Sequence, residues 1–204
     1  MASLTYTYDA HSRRYRTSTG RFLSAQQVRA AVDDLIHASA QTMRQDAQEM
    51  MDGKINFAEW QVRSLSAIKH LHLATALSGN GGRNMTTTSY YSAIGDLLKA
   101  QYRYFRGMVK DIKTGKQALN GTLLSRVQLY AEAARGSHEH MRKRSAIAAG
   151  LQYERNILGL ADHCHGAANG CIEQTQRGWV NMGELVPVGS RLCGPNCKCT
   201  TEQK

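Results

Sequence analysis

A chain of 204 residues is long enough for one ordinary buried core, or for a core with a small appendage, and too short for more than two folded parts. Lys and Arg exceed Asp and Glu by ten and the pI is about 9.6, so contact with polyanions is expected before any motif is considered. Met1 to Ala10 is polar and does not resemble a secretory leader, and no apolar run approaches membrane-spanning length.

In chain order, residues 1–23 read as an extended basic arm or a short hairpin. Tyr6 to Phe22 is rich in Tyr, Thr, Ser and Arg, carries Arg13, Arg14, Arg16 and Arg21, and lacks a helical stripe. Residues 24–158 read as a helical domain. Ser24 with Gln27 is a capping-box pattern, followed by Val28, Val32, Leu35, Ile36, Met43, Ala47 and Met50 at helical spacing up to Gly53. Asn56 with Glu59 opens a second helix through Trp60, Leu65, Ile68, Leu71 and Leu77, which Gly79 to Gly82 stops. A third runs from the Thr86 to Ser89 cluster through Ile94, Leu98, Phe105, Met108 and Ile112 to Gly115. A fourth starts near Gly121 and carries Leu124, Val127, Ala131, Ala134 and Met141. The expected fold class is mainly α: a bundle or paired hairpins of about four long helices, followed by a small Cys-rich α+β or β-hairpin module at residues 159–204. Within that module Gly178-Trp179-Val180 and Leu185 to Val188 suggest two short strands, a unit too small to stand without a staple.

Charge is partitioned the same way. From Leu151 to Lys204 five basic residues balance five acidic ones, so the whole excess lies upstream. Lys99 to Ile147 alone carries eleven basic residues against Asp111, Glu132 and Glu139. Lys99, Arg103, Arg106, Lys110 and Lys113 recur three or four residues apart and so share one helix face, with Tyr102, Tyr104 and Phe105 nearby. Such a stripe tracks phosphates or is a plain solvated face. Arg142, Lys143 and Arg144 form a short basic cluster open to the same two readings.

All five cysteines fall in the last quarter of the chain. Cys164 and Cys171 form one pair, and Cys193, Cys197 and Cys199 form a second group, with His163 and His165 beside the first. An odd, clustered set in a chain without a secretory signature favours metal over a disulfide framework. Tetrahedral zinc takes four thiolate or imidazole ligands, usually two from each of two knuckles separated by such an excursion, and seven candidates are present here for four places. Disulfides and buried free thiols are the alternatives.

Asp162-His163-Cys164, Cys171, Gly178-Trp179-Val180, Gly183-Glu184-Leu185, Pro187-Val188-Gly189 and Cys193-Gly194-Pro195-Asn196-Cys197-Lys198-Cys199 together resemble the C-terminal module of Mu-type phage minor head, or head-morphogenesis, proteins. Tyr15 to Phe22, Leu71 to Thr75 and Gln101-Tyr102 with Tyr104-Phe105 are similar to the helical region of phage-encoded relatives. In that family the first two cysteines usually form a Cys-x2-Cys knuckle. Here His165 to Gly170 intervene, which leaves open which of His163, Cys164, His165 and Cys171 would bind. The resemblance implies a virion protein made in the host cytoplasm, present in several copies, and associated with the portal, the major capsid protein or packaged DNA. It implies no membrane. Trp179, Leu185 and Val188 are the expected apolar anchor for protein docking, with the module's own core as the other reading of Trp179.

Enzyme signatures fail on spacing. Gly79 to Gly82 lacks the Gly-Lys-Ser/Thr of a phosphate loop, and His138-Glu139-His140 lacks the zincin interval and reads as a solvated helix turn. Pro195 to Cys199 has the wrong interval for a nucleobase deaminase. A zinc-stapled nuclease needs a further ligand, usually a His, downstream of its general base, and there is no histidine after His165. A Cys164/His163 nucleophile pair has no evident orienting group. The expected function is therefore non-enzymatic, with a zinc-knuckle nucleic-acid-binding protein as the first alternative and a zinc-stapled nuclease as the second.

Overall fold

The Ser24 hydroxyl accepts the backbone N–H of Gln27 and the Gln27 side chain accepts that of Ser24, so a complete capping box launches the first long helix, α1 (Ala25–Met51). The computed structural model describes residues 6–9, 12, 14–159, 164 and 166–204, and within them the chain is mainly helical, with two small antiparallel sheets. Asn56 caps α2 (Phe57–Gly79) through the N–H of Glu59. The helix α3 (Thr88–Lys113) follows a single 3-10 turn. α1 and α2 sit where their side-chain caps and glycine stops place them, and α3 starts within the Thr86 to Ser89 cluster without a side-chain cap bond and ends before Gly115.

The fourth expected helix is two. It breaks at Ala133 into α4 (Gly121–Glu132) and α5 (Ala134–Ala148), with neither proline nor glycine at the junction. The cause is tertiary: α4 packs mainly along α1, whereas α5 packs along α2. At the bend Arg135 turns inward, its Nε 3.0 Å from Asp33 on α1 and its Nη1 3.3 Å from Glu132. The α2–α5 contact is close enough that a Cβ at Gly79 would collide with the His138 carbonyl, so only glycine fits there.

The main cluster in the core of this body is apolar. Trp60, fully buried, stacks between Phe57 and Phe105 with ring centroids 5.4 and 5.5 Å away, and Phe105 meets Tyr130 edge-on. Ile36, Met43, Ile68, Met108, Leu123 and Val127 fill the space around them. Among the described residues no helix is long and apolar enough to cross a membrane.

Of the two readings of the N-terminal segment, the hairpin is the one that forms. β1 (Tyr6–Asp9), β2 (Arg14–Thr17) and β3 (Phe22–Leu23) make an antiparallel sheet in sequence order. The hydroxyls of Tyr6 and Tyr15 tie it to Ser78 near the end of α2, and Arg16 is held by Asp9 and by the face of Phe22.

The C-terminal module is built around a strand that its polar sequence concealed. β4 (Tyr153–Ile157) lies centrally between β5 (Val180–Asn181) and β6 (Thr200–Gln203), both antiparallel to it. The module's sheet thus begins before residue 159. Leu185 to Val188, expected as a strand, is irregular, and a short helix α6 (Cys171–Gln176) packs on β4 instead. Glu154 and Asn156, two apart on one face of β4, are both buried. Each has partners: Glu154 Oε1 accepts from Lys143 Nζ at 2.8 Å and from the Gly183 N–H, while Asn156 Nδ2 donates to the Cys171 carbonyl and its Oδ1 accepts from Arg191.

Candidate metal centre

Four of the five cysteines converge behind that sheet. Cys171 opens α6, Cys193 precedes the 3-10 turn Gly194–Asn196, Cys197 ends it, and Cys199 leads into β6. All four are buried, and Val188 packs among them. The sulfurs of Cys171, Cys197 and Cys199 all lie within 4.8 Å of one another. The Cys171 sulfur is 3.6 Å from that of Cys197 and 3.1 Å from that of Cys193.

A disulfide needs about 2.05 Å between sulfurs, and all five cysteines are free thiols. Zn–S bonds of about 2.3 Å in a tetrahedron place the sulfurs about 3.8 Å apart; the Cys171–Cys197 separation of 3.6 Å is close to that edge, and the Cys171–Cys193 separation of 3.1 Å is shorter than it. The backbone N–H of Gly159 is 3.5 Å from the Cys199 sulfur, the kind of outer contact that supports a ligating thiolate. A side chain at Gly159 would strike the Lys198 carbonyl, so the close approach depends on the glycine.

Crowding also bears on charge. Burial first, then the neighbouring Cys171 thiol, pushes the Cys193 thiol up to about 11. Contact with Cys197, followed by burial, raises that of Cys199. Burial and neighbouring thiols thus favour the protonated forms of Cys193 and Cys199, and a dication bound at the cluster would reverse that balance. The donor set therefore fits a soft or borderline metal and offers nothing to a hard cation. Cys164 is half-buried at the edge of the cluster, its S–H directed to the Gly159 carbonyl at 3.4 Å. His163 and His165 lie outside the described residues.

The module is keyed to the helical body by buried charge. Glu139, on α5, accepts from Arg142, from the Thr200 hydroxyl at 2.9 Å, and from the N–H and hydroxyl of Thr201. Burial works to raise its carboxyl, but Arg142 and the threonine hydrogen bonds outweigh that and hold it below its ordinary value. Lys198 reaches Glu132 at 2.7 Å. His138, expected with Glu139 and His140 on a solvated turn, is fully enclosed, its Nδ1 facing the Thr75 carbonyl at 3.3 Å, and burial lowers it to about 4. No spacing rule marks Glu139 or Glu154 as a fastener, because, apart from Arg142 three residues from Glu139, their partners lie farther away along the chain.

The remaining candidates divide. Arg142 donates to Thr200, the Thr201 carbonyl and Gln203, and Lys143 is spent on Glu154, so both act inside the molecule. Arg144 is exposed beside the Tyr90 ring. Lys99, Arg103, Arg106, Lys110 and Lys113 are all exposed. Leu185 and Val188 are 2% and 6% exposed, so they are module core and not a surface anchor: the Leu185 N–H donates to Glu154, and Val188 packs on the thiols. Trp179 is partly exposed, with Lys204 and Arg155 over its ring at 4.3 and 4.9 Å. Comparison with protein-family models, with curated proteins and with solved structures finds no match.

Proposed function

We propose that this chain is a non-enzymatic structural protein of a phage head, a minor head or head-morphogenesis component whose C-terminal module is stapled by one zinc ion. The observation that carries the structural reading is the enclosure of Cys171, Cys193, Cys197 and Cys199. The sulfurs of Cys171, Cys197 and Cys199 lie within 4.8 Å of one another, and with Cys193, 3.1 Å from Cys171, drawn in as the fourth ligand the shell would be closed to water and substrate, the arrangement of structural and not catalytic zinc. Bound there, zinc would supply a crosslink between α6, the 3-10 turn and β6. These residues would hold it; Cys164 would stand outside the shell.

The head assignment is supported by the sequence resemblance of the cysteine module, and the keyed module suits it. A tail fixed to α5 through Glu139, Arg142 and Lys143 presents one rigid surface to a neighbour, so partner binding costs little ordering entropy. The partners on this reading are the portal or major capsid protein, in a symmetric assembly with several copies of this chain, formed in the host cytoplasm and retained in the virion.

A mass-spectrometric inventory of purified particles tests this. The chain should be recovered at a fixed low ratio to the portal protein after washing in high salt. Particles lacking it, beside abundant free protein bound to nucleic acid in the same lysate, would assign it to nucleic-acid binding outside the head.

A further inference from the structure

The outer helix carries a surface that the head reading does not use. α3 packs on α2 and more lightly on α5, through a face that includes Ile94, Phe105 and Met108. At about 100° per residue, Lys99, Arg103, Arg106, Lys110 and Lys113 fall within an arc of about 80° on the opposite side. The fourteen residue steps from Lys99 to Lys113 extend that stripe over about 21 Å. Among the described residues only Lys99 has a carboxylate partner, Asp96 at 3.1 Å, and both groups are widely exposed. The other nearby acid, Asp111, is taken by Arg126.

We infer that this face of α3 is a docking surface for the phosphate backbone of duplex DNA, read without regard to base sequence. A duplex carries one phosphate per about 1.7 Å of axis, hence about six on each strand over the length of the stripe, against five cations. The stripe contains only Lys and Arg, with no Leu, Phe or Trp among them to insert into a bilayer, which favours DNA over an anionic membrane. Arg106 and Lys110 sit at its centre with no acid on them, and Gly107 beside them has open space around its Cα, so nothing on the protein obstructs approach. Arg142 and Lys143 do not take part, being held internally. The inference does not depend on the chain belonging to a phage head.

The test uses the full-length protein and a short fluorescent duplex of arbitrary sequence. Five phosphate contacts predict a slope of log K against log salt of about −4.5, so that affinity falls about 500-fold from about 50 to about 200 mM salt. Replacing Arg103, Arg106 and Lys110 together by Ala should cut that slope to about −1.8 and the fall to about 12-fold. Replacing Arg21, Lys54 and Lys69, three exposed cations elsewhere, removes the same net charge and should leave the slope near its original value. All six side chains are exposed, so neither variant threatens the fold. Equal losses in the two triple variants would show that only net charge matters and overturn the inference. So would a slope unchanged in the α3 variant, or binding to phosphatidylserine vesicles with none to the duplex.

Discussion

The helical body is held mainly by apolar burial, although it also encloses His72, His138 and Glu139, whereas the C-terminal module is held mainly by thiols and polar groups. The body buries Trp60, Phe105, Met43 and Ile68 with no exposed area or nearly none, and its helices are joined by short capped turns. The module buries four thiols, Val188, Leu185, a glutamate, an asparagine and an arginine, and its longest strand has five residues. An apolar core of the first kind stabilises by removing area from water. The second has too little such area, and each buried polar group merely recovers what burial cost it. The difference identifies which region needs a crosslink.

The largest break in that comparison should come from Cys197→Ser. Structural zinc contributes on the order of 10 kcal/mol to small domains that depend on it, so losing a ligand should unfold the module while the helical circular dichroism of the body persists. A cooperative loss of both would show that the two regions are one unit. Trp60→Ala is the converse experiment: about 3–5 kcal/mol should be lost from the helical transition, with bound zinc per chain unchanged.

Acid should act on the body next. His72 and His138 are both lowered to about 4, in each case chiefly by burial. Unfolded, each ring binds a proton near 6.5, so between these values the unfolded chain holds more protons and stability falls as pH falls. The full difference is roughly 3 kcal/mol for each ring, lost progressively from about pH 6.5 towards about pH 4. Glu139, held below its ordinary value, adds a loss of the same sign as it protonates. Urea midpoints followed by helical signal across that range measure it, and a flat profile would contradict the buried neutral imidazoles. The smallest effect belongs to Trp179→Ala. Its cation–π contacts with Lys204 and Arg155 are worth about 0.5–1 kcal/mol each at an exposed site, so the module's melting should shift slightly. A loss as large as that of Trp60→Ala would make Trp179 part of the module's core.

What could be read from the sequence was local. The boundaries of α1, α2 and α3 follow from Ser24, Asn56 and the glycines after them, because caps and stops act within a few residues. The bend at Ala133 leaves no mark, since it arises from α4 and α5 choosing different neighbours. β4 was hidden for a related reason: Glu154, Asn156 and their partners near Thr201 pair across more than forty residues, and a strand with glutamate and asparagine inward lacks the apolar alternation that signals one. The cysteines were visible as a set, but the spacing could not show that Cys171 is central and Cys164 peripheral. That depends on α6, which brings Cys171 to the 3-10 turn, while Gly159 engages the Cys164 thiol.

Amide hydrogen exchange on the full chain, with zinc bound and after chelation, bears most directly on the claim that the thiol cluster staples the module and leaves the body independent. Protection of Tyr153 and Lys204, whose N–H groups donate to each other's carbonyls, and of Arg155 and Glu202, the next hydrogen-bonded pair along the β4–β6 ladder, should be lost on chelation, while Ile36, Met43 and Ile68 keep theirs. Unchanged protection of the ladder after complete removal of zinc would contradict it.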